Sequence, residues 1–320
     1  MIGIIGGSGF IGTRLVNRML KAGEKVRIID KNKSEKHSQL WTFGDVRDVD
    51  SLTKALQGVD SIINLAAEHK DNVRPFELYY DTNVQGAINI CEVADKLEIK
   101  KLVFTSSVAV YGFTTQETDE TGELEPFNEY GRTKMLAEAE YKKWYEADAE
   151  SKTLVFIRPT VVFGEGNRQG NVYTLMQQTR KNSFIIGSGK NIKSMAYVEN
   201  VAAFIQYCIQ EFASGFHLFN YIDKPDYNMI DLMKLLKRLQ NNNSKLIRVP
   251  YFIGYAAGTV FDFLSKITKR EYAISRIRIK KFCSSSHFTS KNIRKTDFEA
   301  PVSIEEGLRK TIEYEFKAVS

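Results

Sequence analysis

The sequence predicts an α/β protein, a doubly wound parallel sheet followed by a smaller C-terminal domain. Three observations predict it. Short apolar runs alternate with helical patterns through the first half, the first run ends in a glycine-rich turn, and the alternation fades after Gly164. Strands buried on both faces read as unbroken apolar runs, and parallel neighbours need a long crossover, usually a helix. Ile2–Ile5 is the first run, and a helical pattern from Phe10 to Lys21 follows it. Lys25–Ile29 is the second, ending at Asp30. Val59–Leu65, Lys101–Ser106 and Thr153–Ile157 repeat the pattern, with helical stretches at Ser51–Leu56, Pro75–Leu97 and Asn128–Tyr145. The loop-rich stretch Glu165–Gly170 marks a change of domain. The expected division is 1–164 and 165–320, with about 190–222 returning to the first domain.

Composition sets outer limits. A chain of 320 residues is long enough for about two domains, and 43% apolar with 26% charged residues excludes a disordered chain. Cys91, Cys208 and Cys283 are far apart and form no Cys-x-x-Cys pair, which argues against a disulfide framework or zinc ribbon and fits a reducing cytosol. The N-terminus has no basic segment before an apolar run, so no secretory signal is expected. No stretch reaches the roughly 20 apolar residues of a membrane span. The expected location is cytoplasmic, with room for contact at a membrane surface. The net charge of +6 is concentrated: seven basic residues lie between Lys266 and Lys281, with Glu271 the only acid among them. Nucleic-acid binders carry broader basic surfaces, so none is expected as a partner. A local patch points to one anionic partner, a phosphate group or a lipid surface, and a solvated helix face is the plain alternative.

The first strand-to-helix turn reads Gly6-Gly7-Ser8-Gly9-Phe10-Ile11-Gly12. Gly6, Gly9 and Gly12 have the spacing that lets a backbone approach a pyrophosphate at a helix N-terminus. Asp30 stands 18 residues beyond Gly12, where a carboxylate can accept hydrogen bonds from both adenosine ribose hydroxyls. It would repel a 2′-phosphate, so NAD is favoured over NADP, with Lys31 and Lys33 counting the other way. A turn cap is the structural alternative for Asp30.

Tyr130-Gly131-Arg132-Thr133-Lys134 sets a tyrosine and a lysine one helical turn apart. A phenol of pKa near 10 is a poor base at neutral pH, and a neighbouring ammonium or a positive nicotinamide favours its phenolate. Thr105-Ser106-Ser107 closes a strand at the carboxyl edge, where such sheets bind ligands. Ser107 can donate to the same substrate oxygen that Tyr130 deprotonates.

With these motifs the chain resembles the extended short-chain dehydrogenase/reductase family, which includes nucleotide-sugar epimerases, dehydratases and reductases. The resemblance covers nearly the whole chain and implies a Rossmann-type NAD-binding domain followed by a substrate-binding domain. It implies Tyr130 as general base, Lys134 on the nicotinamide ribose and Ser107 polarising the substrate. The cofactor would also be met by Gly6, Gly9, Phe10, Ile11, Gly12 and Asp30. Asp45 and Val46 fall in the adenine segment Gly44-Asp45-Val46, and Leu65, Ala66 and Ala67 line the cofactor phosphates. Asn83 supports the site, and Pro159, in Arg158-Pro159-Thr160-Val161-Val162-Phe163-Gly164, lies at the nicotinamide.

Departures narrow the chemistry. Sugar dehydratases of the family carry an Asp-Glu pair after the serine, whereas Val108 and Ala109 cannot move protons, which disfavours dehydration. Epimerases of uridine nucleotides carry an asparagine near Val161 and an arginine near Lys193, so this substrate is not expected to be held as a uridine nucleotide usually is. Together with Leu65–Asp71, Leu78–Asp81, Lys193–Val198, Asn220–Asp226 and Arg276–Cys283, the resemblance implies a 4-epimerase. It would interconvert GlcNAc and GalNAc on undecaprenyl diphosphate for bacterial O-antigen, with NAD and no metal. A UDP-GlcNAc 4-epimerase and an NAD(P)H-dependent 4-ketoreductase remain open, and a homodimer is compatible with the family. A silent NAD-sensing protein is disfavoured because Tyr130, Lys134 and Ser107 are all present. His69 and Lys193 are the expected further substrate contacts, and Cys283 has no assigned role.

Tyr251–Phe261 is eleven residues without a charge, just before the basic window. That is the pattern of a segment lying in a membrane interface, which suggests peripheral contact through 251–281. The alternative is core packing through 253, 256, 257, 260, 264 and 267, which share one helical face. Thr114–Pro126 reads as an acidic surface loop, and Trp41, Trp144 and most phenylalanines read as core.

Overall fold

The computed structural model describes all residues except 71–72, 115, 182, 269–275 and 318–320. The side chains of 181, 263, 266–267, 277–278, 281 and 317 also lie outside the described set. The chain order is β1 (Ile2–Ile5), α1 (Phe10–Lys21), β2 (Val26–Asp30), β3 (Trp41–Phe43), α2 (Val49–Leu56), β4 (Ser61–Asn64), α3 (Glu77–Tyr79), α4 (Gly86–Lys96), β5 (Lys101–Thr105), α5 (Glu129–Glu146), β6 (Thr153–Pro159) and β7 (Val161–Phe163). It continues with α6 (Asn171–Lys181), β8 (Phe184–Ile186), β9 (Ile192–Tyr197), α7 (Val198–Glu211), β10 (Gly215–Tyr221), β11 (Asp223–Asn228), α8 (Met229–Leu239), β12 (Ile247–Val249), α9 (Tyr251–Thr268), α10 (Arg276–Cys283) and α11 (Ile304–Ile312).

The central sheet has seven strands in the order β10-β6-β5-β4-β1-β2-β3, all pairing in parallel. Both faces are covered, and Ile4, Ile28, Ile63, Val103 and Val155 have no exposed surface, which is why these strands are apolar without alternation. The strand order reverses direction between β1 and β4, and ligands of such sheets bind at that switch, outside the carboxyl ends. β3 gave no sequence signal, being three half-buried or exposed residues at an edge. β10 extends the sheet beyond β6 in register Gly215↔Thr153, and α7 packs on α1 across the sheet face.

Pro75–Leu97 is not one helix. A π-helical turn, Tyr80–Gln85, separates α3 from α4. Asn83 explains it, because its side chain leaves the helical register to bond the Glu68 backbone and Thr133. Such turns gather at functional sites.

The C-terminal part holds a three-stranded sheet, β11-β9-β7, and a parallel pair, β12-β8. Its core includes Met176, Ile185, Leu232, Leu236 and Leu308. Two expectations differ from the structure here. Thr114–Pro126 is more than a surface loop: Glu120 is buried and accepts from Asn220 N at 3.0 Å, Lys291 N at 3.0 Å and the Ser290 hydroxyl. Trp144 is core and Trp41 packs half-buried against the core with its indole N–H donating to Asp30 O, and most phenylalanines are buried or half-buried, with Phe43, Phe76, Phe113, Phe127, Phe184 and Phe252 exposed. The proposed packing face of α9 is not covered: Ile253, Ala256, Val260 and Leu264 are exposed. α9 meets the domain through Gly254, where a Cβ would stand 2.6 Å from the Ile186 side chain. Most of the basic window lies outside the described residues.

Candidate active site

The glycine turn follows from close approach. Gly6 has φ +77°, and a Cβ there would stand 2.7 Å from Ala66 N. A Cβ on Gly12 would stand 2.6 Å from Gly6 O, so neither position accepts a larger residue without moving the backbone. Gly9 is the N-cap of α1 and offers no side-chain acceptor, and the first turn has no acid. The positive end of α1 at Phe10 and Ile11 is therefore left for an anion. The Asp30 carboxylate accepts from Ser8 N at 3.1 Å and Asn32 N at 2.9 Å, so it ties the turn to the end of β2.

The other expected cofactor residues border this cradle. Leu65, Ala66 and Ala67 follow β4, with Ala66 N donating to Asn64 Oδ1 at 3.0 Å. The Asp45 carboxylate pairs with Arg47, whose hydrogen bonds hold it below the usual carboxylate range. Val46 is core, and its carbonyl accepts from Asn89 at 2.8 Å. Pro159 ends β6 beside Thr160, whose N–H donates to Tyr221 O.

Asn128 starts the catalytic helix by accepting from Gly131 N at 2.9 Å, which fixes Tyr130 in the first turn of α5. Gly131 is needed because a Cβ would stand 2.4 Å from Ala109 O. That contact packs α5 against the turn Val108–Tyr111, of which Ser107 is the N-cap. Tyr130 and Ser107 share a hydrogen bond, which lowers the Tyr130 phenol against the larger upward push of burial. Lys134 is buried, with its ammonium 4.1 Å from the Phe104 ring centre. It donates no hydrogen bond to any described residue, and burial drives its pKa down to about 7 against the opposing charge of Glu138.

Behind Lys134 lies a buried pair that sequence reasoning missed. Glu138, one turn further along α5, takes Arg158 Nε at 2.8 Å and Nη2 at 2.5 Å. Arg158 also donates to Tyr111 at 2.6 Å, and Tyr111 donates to Asn220 Oδ1 at 2.8 Å. The spacing Lys134-x-x-x-Glu138 was the available signal.

The residues fit NAD. An anion cradle of glycines opens at the α1 N-terminus, and Lys134 has no acceptor among the described residues. The Thr105 and Ser106 hydroxyls are buried without partners at the same strand end. Buried polar groups are seldom left so, and ribose hydroxyls are partners of the right kind for Lys134. The structure thus brings Tyr130, Lys134, Ser107 and Asn83 together beside the glycine turn. His69 is exposed in the loop after β4. Lys193, on β9, donates to Ser284 O at 2.6 Å, and burial lowers it to about 8.

The profile of the NAD dependent epimerase/dehydratase family matches residues 2–223. The chain belongs to this family. Within the family, it is 43% identical to the N-acetyl-α-D-glucosaminyl-diphospho-ditrans,octacis-undecaprenol 4-epimerase of Escherichia coli O157:H7, over 98% of this chain and 94% of that one. Two epimerase structures share the fold. A Thermotoga maritima UDP-glucose 4-epimerase with UDP-glucose has TM-score 0.77 at 21% identity, covering 100% and 99% of the two chains. A Methanobrevibacter ruminantium UDP-N-acetylglucosamine 4-epimerase with UDP-N-acetylmuramic acid has TM-score 0.76 at 21% identity, covering 99% and 98%.

Proposed function

We propose that the protein is a C4 epimerase interconverting GlcNAc and GalNAc joined through diphosphate to undecaprenol. The observation that carries this reading is the 43% identity, nearly end to end, to a 4-epimerase of that substrate. The site chemistry agrees with it. Tyr130 takes the proton of the C4 hydroxyl while Ser107 holds the same oxygen. Bound NAD supplies the acceptor and later the donor of the C4 hydride. The 4-keto sugar rotates to present its opposite face to the returning hydride, and Tyr130 gives the proton back to the C4 oxygen. Asn83 keeps the cofactor-lining loop and the catalytic helix in register. Val108 and Ala109 leave no acid–base pair for dehydration. Incubation with GlcNAc-diphosphoundecaprenol and UDP-GlcNAc in parallel, without reductant, tests the reading. GalNAc is expected from the lipid-linked sugar alone. Conversion of UDP-GlcNAc alone contradicts the carrier, and a requirement for NAD(P)H and a 4-keto sugar contradicts epimerisation.

Peripheral contact with the inner membrane belongs to the same reading. No helix among the described residues is long and apolar enough to cross a membrane. α9 nonetheless exposes Tyr251, Phe252, Ile253, Tyr255, Val260 and Leu264, with Phe252 at 70%. Apolar surface of that size usually marks an interaction site, and the Lys/Arg window follows it in the chain. Phe252→Asp/Ile253→Asp is expected to lower co-sedimentation with phosphatidylglycerol vesicles by at least tenfold. Undiminished binding contradicts the assignment to α9.

A further inference from the structure

Two exposed phenylalanines stand at the two chain segments that build the catalytic pair. Phe127 lies three residues before Tyr130. Phe113 follows the turn that Ser107 begins, after Gly112 at φ +74°. A Cβ on Gly112 would overlap Glu125 O, at 2.0 Å, so these segments are pressed together. Their rings stack with centroids 4.3 Å apart and planes at 28°, and each is 39% exposed. The Lys280 ammonium lies 5.2 Å from the Phe113 ring centre, within cation–π range. Lys280 is exposed and makes no ion pair with any described residue. It sits on α10, which packs against α9.

An apolar aromatic step and a cation without a carboxylate partner among the described residues thus stand side by side, on the segments that carry Ser107 and Tyr130. The ligand chemistry that satisfies both is an amphiphile whose anionic head joins directly to a hydrocarbon chain. We infer that Phe113 and Phe127 seat the first isoprene units of the lipid carrier while Lys280 faces its diphosphate. This subsite rests on the lipid-linked reading of the function. It also gives the carrier a continuous route, from the sugar at Tyr130 across the aromatic step toward the exposed apolar helix α9.

The test uses GlcNAc-diphospho-farnesol and GlcNAc-diphospho-ethanol in solution without a membrane, so that α9 has no surface to bind. The ratio of kcat/KM values for the farnesyl and ethyl substrates measures the grip on the chain. Phe113→Ser and Phe127→Ser are each expected to lower that ratio about tenfold, the order expected for losing one aryl face from an apolar contact. Phe113→Leu, which keeps apolar surface, is expected to restore most of it. Lys280→Ala should weaken both substrates alike. An unchanged ratio in both serine variants overturns the proposal, whether activity holds or falls equally on the two substrates. A selective loss with UDP-GlcNAc would make the step a uracil seat and also overturn it. If the wild type prefers neither carrier, the subsite fails while the function stands; if it converts no diphosphoprenyl substrate, the lipid-linked reading itself fails.

Discussion

Tyr130→Phe is expected to lower kcat by about 10³-fold, within the range for loss of a positioned general acid–base, with the fold and bound NAD retained. Phe occupies the same volume in the first turn of α5, and the Asn128 cap and the Gly131 contact with Ala109 O do not involve the hydroxyl. What disappears is the hydroxyl that hydrogen-bonds Ser107. Burial holds the Tyr130 phenol up, so phenolate forms only when positive charge arrives nearby. Lys134, one helical turn along, is itself drawn down to about 7 by burial. Steady-state kinetics beside the absorbance of co-purified nucleotide separates the outcomes. A variant within tenfold of wild type, or one that has lost NAD, contradicts the assignment of the base.

Glu138→Ala is expected to destabilise the protein by about 3–5 kcal/mol, because it leaves the Arg158 guanidinium buried without its carboxylate. Both side chains are almost wholly buried, so water cannot take the partner's place. Glu138 is also the acid whose charge supports protonation of Lys134. Removing both charges, as Glu138→Leu/Arg158→Met, is expected to recover most of the loss, since a well-packed apolar pair replaces a buried ion pair at little cost. Urea denaturation of the NAD-free protein measures both. A loss under about 1 kcal/mol for Glu138→Ala, or a double variant no better than the single, contradicts this account.

The parallel sheet was legible because burial on both faces forces apolar runs, and the glycine turn because Gly6 and Gly12 stand where backbone approaches backbone. That Tyr130 and Lys134 share one helix and that Ser107 follows the strand end was legible from spacing. β3 was not, being a short, half-exposed edge. The break in Pro75–Leu97 was hidden because its cause, the Asn83 bonds to Glu68 and Thr133, lies in tertiary contacts. Glu120 looked like one more acid in a polar loop, yet the backbone N–H groups of Asn220 and Lys291 bury it. The same limit applied to α9, whose apolar face fits a core or a surface equally well in sequence, and the structure leaves it exposed.

The central claim is that the hydrogen at C4 leaves and returns without exchange. Wild-type protein loaded with NAD would be given GlcNAc-diphosphoundecaprenol deuterated at C4, with no added reductant, and the GalNAc product read by mass spectrometry. Product carrying the full label at C4 over many turnovers is expected. Product that has lost the label to solvent, or turnover that stops without added NAD(P)H, would contradict it.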